Sequence, residues 1–364
     1  ILIGLVGSEM CIRDRFFLLL TFFLFCLPFT VSADTAKSTI VMDLDSGRIL
    51  YEKNANQKRL IASITKIMTA IVAIEEGDLT EKITVGEEVL SMYGTNIYVE
   101  VGEKMKLRDL LYGLLLRSGN DASVVIAKAI AGSEEKFVNL MNKKAQEIGM
   151  KNTIFKNPHG LDEETENYST AYDMALLSKY AYKNKTYRNI VSTDKYEVST
   201  GKKTYLWYNR NKLLTTYEYC TGGKNGYTPR AGKTLVTTAS KKRLNLTIVT
   251  LSDGDIYNNH IDLYEDFFSK YKRYKIIDKN NFRIDKEFVD EDVYLEDSFY
   301  YPLTSNEVND IKTVVHFLDD SATDEIGTIE IFLSNQKIGE LPIYRKIKKK
   351  EQFSFFEWLR QLFL

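Results

Sequence analysis

The stretch "IASITKIMTA", residues 61–70, sets Ser63 and Lys66 three residues apart at the head of an otherwise apolar run. Ile64, Ile67, Met68, Ile71 and Val72 recur at helical spacing, which predicts one apolar stripe along a helix that Gly77 stops. Burying a lysine costs free energy unless it is paired or gives up its proton, so Lys66 calls for a chemical reason. A serine hydroxyl is a weak nucleophile that needs a base within hydrogen-bond reach, and i, i+3 spacing on a helix supplies one. The positive helix N-terminus and desolvation would both help Lys66 shed its proton. Taken alone, the common Ser-x-x-Lys pair reads as a capping serine beside a solvated lysine.

Outward from this helix, "STIVMDLDSGRILYEKN" (38–54) has two β-rich runs around an Asp-Ser-Gly turn and predicts a hairpin. From about 90 to 185 the periodicity is mostly helical, with Leu107, Leu110, Leu111, Leu114 and Leu115 on one face and "DASVVIAKAIAG" forming a second helix. Beyond about 203, "TLVTTAS" and "LNLTIVTLS" read as strands, and "HIDLYEDFFSKY" reads as a helix. The early hairpin is expected to join these later strands in one antiparallel sheet. The fold class is therefore α/β of the α+β kind: a sheet flanked by helices, with an inserted helical subdomain, over residues 34–275. Alternating runs such as "IKTVVHFLDD" and "GTIEIFLSN" predict a small all-β domain over 276–344. The tail 345–364 sets Arg345, Lys346, Lys348, Lys349 and Lys350 before Phe355, Trp358, Leu359, Leu362 and Phe363, which share one helical face. That pattern predicts an amphipathic helix anchoring the protein to a membrane surface.

The 364 residues suffice for two domains, and 44% hydrophobic with 27% charged residues fits a globular protein. A formal net charge of −1 gives no global attraction to nucleic acid, and "SKKR" at 240–243 reads as a solvated hairpin end. Residues 1–14 resemble a translated adapter and are set aside as an artefactual leader. Residues 15–33 have Arg15, an apolar run interrupted by Pro28, and small residues Val31 and Ala33, the pattern of a signal peptide cut after Ala33. Cys220 is then the sole cysteine and reads as a packing residue. His159, His260 and His316 are scattered without metal-ligand spacing, so neither metal nor cofactor is expected. His159, in "NPHGLD", reads as a hydrogen bonder that fixes its loop.

Two further motifs change the weight of the Ser63–Lys66 pair. "RSGN" offers Ser118 and Asn120 on a turn after an apolar helix, and "TGGKNGYTPRAGKTLV" offers Lys224, Asn225 and Gly226 on a strand. In order and spacing these follow the Ser-x-x-Lys, Ser-x-Asn and Lys-Thr-Gly set of β-lactamases and penicillin-binding proteins. With "LLYGLLLRSGNDAS", "NPHGLD" and "STAYDMALLSKYA", the chain resembles the low-molecular-mass penicillin-binding proteins, serine-type D-alanyl-D-alanine carboxypeptidases.

The resemblance implies a β-lactamase/transpeptidase-like fold and a role for each residue. Ser63 would attack the carbonyl between two D-alanines and Lys66 would take its proton. Ser118 would pass protons to the leaving amine, and Asn120 would orient Lys66 and hold the substrate amide. Lys224 would place positive charge near the substrate carboxylate, with Asn225, Gly226 and Tyr227 beside it. The N–H groups of Ser63 and Tyr227 would form the oxyanion hole. The implied partners are peptidoglycan stem peptides ending in D-Ala-D-Ala, β-lactams as inhibitors and a membrane surface, with no nucleic acid. The implied location is the outer face of the bacterial cytoplasmic membrane. One departure stands out: Asn225 replaces the threonine usual in the third motif. Alternatives are a cell-wall-binding protein with an impaired site and, with less support, a β-lactamase.

Overall fold

The structure is a computed structural model that describes residues 34–285, 289, 292–318 and 324–346. The leader 1–14, the signal segment 15–33 and all of the tail beyond Lys346 lie outside the described residues. The chain divides into two compact units, Ile1–Asp34 and Thr35–Leu364, and the strands and helices named below all belong to the second.

The expected hairpin forms as β1 (Ser38–Asp43) and β2 (Ile49–Lys53). Asp43 accepts the Ser46 N–H and hydroxyl to shape the turn. β3 (Cys220–Thr228), β4 (Gly232–Lys241) and β5 (Leu244–Asp253) complete an antiparallel sheet in the order β2-β1-β5-β4-β3. Strands far apart in sequence thus share one sheet, as the β-rich runs predict. Lys242 and Arg243, both with positive φ, make the tight β4–β5 turn, so the "SKKR" stretch is a hairpin end.

Alternation along the strands sends side chains into two cores. Ile40, Met42, Val236, Val249 and Leu251 face the larger helical layer. Val41, Leu235, Leu246 and Ile248 face the opposite one, with Tyr264 and Phe267. On the first side lie α1 (Lys66–Glu76), α2 (Leu107–Tyr112), α3 (Asn120–Ala131), α4 (Glu134–Ile148), α5 (Ala171–Lys183) and α6 (Lys185–Val191). α5 rests directly on β1 and β5, and α7 (Ile256–Lys270) covers the other face.

The single apolar stripe expected of α1 proves too narrow a reading. All eight residues from Lys66 to Ala73 are buried, because α1 is surrounded by α3, α4, α5 and the turn before Ser118. Gly77 ends the helix as expected. A hairpin of Lys195–Ser199 with Thr204–Tyr208 is an addition to the expected elements; its Tyr196, Tyr205 and Trp207 pack on the helical layer around Tyr112.

In the C-terminal part, β6 (Lys272–Ile277) pairs with β8 (Phe299–Leu303). β7 (Val293–Tyr294), β9 (Ile311–Phe317), β10 (Glu325–Leu333) and β11 (Gln336–Arg345) form a four-stranded antiparallel sheet in the order β7-β11-β10-β9. Its small core holds Ile277, Leu295, Ile329, Ile331 and Ile343. Arg345, expected to open the tail helix, instead closes β11 opposite Val293.

Candidate active site

Ser63 lies in a 3-10 turn, Ala62–Thr65, that feeds straight into α1. Ala62 has φ +49, a conformation costly for a residue with a Cβ, and the surroundings hold it there. Two glycines from distant segments approach this turn. A Cβ on Gly226 would stand 2.7 Å from the Ser63 nitrogen and 2.6 Å from Thr234 Oγ1; one on Gly160 would stand 2.1 Å from the Ala62 carbonyl oxygen. β3 and the loop after α4 can therefore close on the serine only because both residues lack a side chain.

Lys66 is fully buried. Its Nζ donates to Asn120 Oδ1 at 2.8 Å and to the His159 carbonyl at 2.5 Å, and lies 3.2 Å from Ser63 Oγ. Burial, then the positive charge of Lys224, holds the Lys66 pKa well below the ordinary lysine value, with Arg210 adding to the effect and Asp121 opposing it. A neutral amine has two N–H groups and one lone pair. In that form Asn120 and His159 can accept both N–H groups, which leaves the lone pair for the third neighbour within reach, Ser63 Oγ.

Asn120 is the first residue of α3, and its own amide donates to the Tyr93 carbonyl at 2.7 Å. Before it, α2 widens into a π turn over Gly113–Arg117 and ends with Ser118 at φ +70. This irregular turn swings Ser118 to the cleft while the leucines of α2 stay in the core. His159 fixes its loop as expected: Nδ1 accepts the Leu161 N–H, and Asn157 Oδ1 gathers the N–H groups of His159 and Gly160.

Ser63, Thr95, Ser118, Arg210, Asn225, Gly226 and Tyr227 wall a cleft of about 110 Å³. Lys66, Asn120 and Lys224 are buried beside it. The residues singled out from the sequence, Ser63, Lys66, Ser118, Asn120, Lys224, Asn225, Gly226 and Tyr227, thus gather at one place. Lys224 is buried, 1% exposed, and its Nζ donates to the Asn225 carbonyl at 2.7 Å. Burial, with Arg210 second, brings its pKa down to about 7. Among the described residues, the cation on the cleft wall itself is Arg210, which donates to Thr95 Oγ1 at 3.1 Å. No local pattern marks Arg210, which sits in a loop after the additional hairpin. Cys220 lies away from this wall, and burial pushes its thiol up to about 11, which suits a packing role.

The profile of the peptidase family S11, described as D-alanyl-D-alanine carboxypeptidase, matches residues 29–254. The chain belongs to this family. It is therefore a serine peptidase of the D-alanyl-D-alanine carboxypeptidase type. The D-alanyl-D-alanine carboxypeptidase DacF of Bacillus subtilis is 35% identical over 343 residues, covering 88% of this chain and 87% of that one. The crystal structure of D-alanyl-D-alanine carboxypeptidase DacD from Francisella tularensis superimposes with a TM-score of 0.67 at 26% identity, covering 85% and 92% of the two chains. A mutant of the Streptomyces K15 DD-transpeptidase gives a TM-score of 0.60 at 30% identity, covering 64% and 96%. In this carboxypeptidase, the family-matched region 29–254 contains the Ser63 turn, α3 and β3, three of the elements that meet at the cleft.

Proposed function

We propose that this carboxypeptidase removes the terminal D-alanine from peptidoglycan stem peptides through an ester formed on Ser63. The observation that carries the reading is the buried Lys66 amine, 3.2 Å from Ser63 Oγ and held by the Asn120 and His159 acceptors. Ser63 Oγ attacks the penultimate D-alanine carbonyl while its proton passes to Lys66 Nζ. The N–H groups of Ser63 and Tyr227 take the oxyanion. As the C–N bond breaks, the proton moves by way of Ser118 to the leaving amine, and D-alanine departs. Water then attacks the ester carbonyl, giving a proton to Lys66; the acyl C–Oγ bond breaks, Lys66 returns that proton to Ser63 Oγ, and the shortened peptide leaves with a new carboxylate.

Lys224 and Arg210 supply positive potential for the terminal carboxylate. Lys224 lies buried beside the cleft with its pKa lowered to about 7, and an anion bound nearby would favour its charged form. Asn225 lines the cleft and offers an amide N–H where the family motif has a hydroxyl. A β-lactam, as a cyclic mimic of the acyl-D-Ala-D-Ala end, acylates the same serine.

The protein works outside the cytoplasmic membrane after loss of residues 15–33. The peptidase part spans 34–271 and the β part 272–345, bounds shifted from 275/276 and 344 so that β6 and β11 stay whole, and the basic and apolar tail holds the protein at the membrane surface. Among the described residues no helix is long and apolar enough to cross a membrane. Labelling with a penicillin followed by peptide mapping tests the site: the adduct falls on Ser63 and disappears in Ser63→Ala, whereas an adduct elsewhere overturns the assignment.

A further inference from the structure

Asp121 follows Asn120 in α3, yet its side chain turns away from the cleft and into the backbone of the loop 93–99. Oδ1 accepts the N–H groups of Ile97 at 2.9 Å and Ala122 at 2.8 Å. Oδ2 accepts those of Tyr98 at 2.7 Å and Val99 at 3.3 Å. Four backbone donors thus converge on one buried carboxylate. The Asp121 N–H donates in return to Asn96 Oδ1 at 3.2 Å. The loop so held is not relaxed by itself: Tyr98 has φ +62 and is 66% exposed, so its own side chain contributes little to holding that conformation.

The same loop grips Asn120. The Thr95 carbonyl accepts the Asn120 N–H at 2.8 Å, and the Tyr93 carbonyl accepts its side-chain amide at 2.7 Å. That second bond fixes which end of the amide faces Lys66: the nitrogen is engaged by Tyr93, so the oxygen is presented to Nζ. Space for the arrangement is reserved in the sequence. A Cβ on Gly119 would stand 2.9 Å from Asp121 Oδ1 and 3.0 Å from Ile97 Cγ2, and one on Gly113 would stand 2.8 Å from Ile97 Cδ1.

We propose that Asp121 is a positioning residue for the reaction, its carboxylate clamping the loop 93–99 so that the Tyr93 and Thr95 carbonyls orient Asn120 toward Lys66. The inference rests on the assignment of Lys66 as the base. The groups bearing on Lys66 are Lys224 on β3 and Arg210, which favour its neutral form, Asp121 on α3, which favours its charged form, and the His159 carbonyl and Asn120 amide. Asp121 therefore acts on Lys66 both by geometry and by charge.

Two substitutions separate these effects. Asp121→Asn must turn an NH2 toward backbone N–H groups in either amide orientation. It should slow Ser63 acylation by a penicillin by about 10²-fold, the order expected for misplacing a catalytic group by about 1 Å. It should also move the alkaline rise of the acylation rate to lower pH, because an anion near Lys66 is gone. Asp121→Glu keeps the charge but displaces it by one methylene, so it should lose rate with little change in the pH midpoint. A merely structural defect would reduce the active fraction without moving the midpoint. A wild-type rate that fails to rise with pH would overturn Lys66 as base and this inference with it. A normal wild-type rise, with Asp121→Glu acylating at the wild-type rate, would overturn the inference alone, even if Asp121→Asn failed to fold.

Discussion

Asn225 is the residue at which the third motif departs from its family, and its position limits what the change can do. It lines the cleft, and the strand register that places it opposite Leu235 does not depend on its side chain. A misplaced neutral hydrogen bond is worth about 0.5–1.5 kcal/mol, roughly two- to twelvefold in rate. Asn225→Thr should therefore change kcat/KM for D-alanine release by about tenfold or less. Asn225→Ala, which removes the donor, should cost more than Asn225→Thr changes. Activity that appeared only in Asn225→Thr would mark the wild type as a binding protein with a disabled site. The two lysines make a second test. Lys66→Arg stays protonated and should lose about 10²-fold or more in acylation. Lys224 keeps a depressed pKa near 7 in the folded protein, so between that value and the ordinary lysine range the unfolded chain binds a proton that the folded one does not. Stability should thus rise with pH across that window. Lys224→Met should flatten the rise and add about 0.5–2 kcal/mol near neutral pH while abolishing turnover; denaturant unfolding at neutral and alkaline pH measures both, and a less stable Lys224→Met would contradict the burial cost.

At the scale of elements, the site is a meeting of four: the Ser63 turn, the start of α3, β3, and the loop carrying His159. Gly226 is where β3 touches the turn. Gly226→Ala should push the Ser63 nitrogen or Thr234 away, lowering acylation by about 10²-fold, far more than the small propensity cost of an alanine in a strand. Near-normal labelling of that variant would show that the contact is not critical. The same meeting explains which parts of the site are legible in the sequence. Ser63, Lys66 and the β-rich runs carry their signal locally, in spacing and hydrophobic alternation, so the helix and the central sheet can be read directly. Full burial of Lys66 is not legible, because one apolar stripe leaves it off the stripe and only the surrounding helices enclose it. Arg210 and Asp121 are ordinary polar residues locally, and their meaning arises only when the Lys195–Tyr208 hairpin and the loop 93–99 fold over the cleft. That hairpin is hard to read because each of its strands offers only five residues of alternation, amid a run of lysines and threonines.

Across the second unit, Arg48 and the Arg273–Asp45 pair both join the first hairpin to the C-terminal strands. Arg48, beside the first turn, donates to the Pro302 carbonyl at 2.6 Å and pairs with Glu307. Its guanidinium also lies 5.3 Å from the ring centres of both Tyr271 and Tyr301. Arg48→Ala should cost about 1–3 kcal/mol, loosening the β6–β8 region, with penicillin acylation of Ser63 unchanged because the cleft lies elsewhere. A variant with unchanged thermal unfolding would show the clasp to be idle. The tail supplies a separate test: ending the chain after Lys346, past the last residue of β11, should abolish binding to anionic liposomes and leave acylation intact. Liposome binding by that truncation would move the membrane contact elsewhere. The most direct test of the chemistry as a whole is the release of free D-alanine from a peptide ending in D-Ala-D-Ala, measured for the wild type and for Ser63→Ala. Repeated turnover by the wild type, with none by Ser63→Ala, is the expected result; no release by a wild type that still takes up penicillin would contradict carboxypeptidase action.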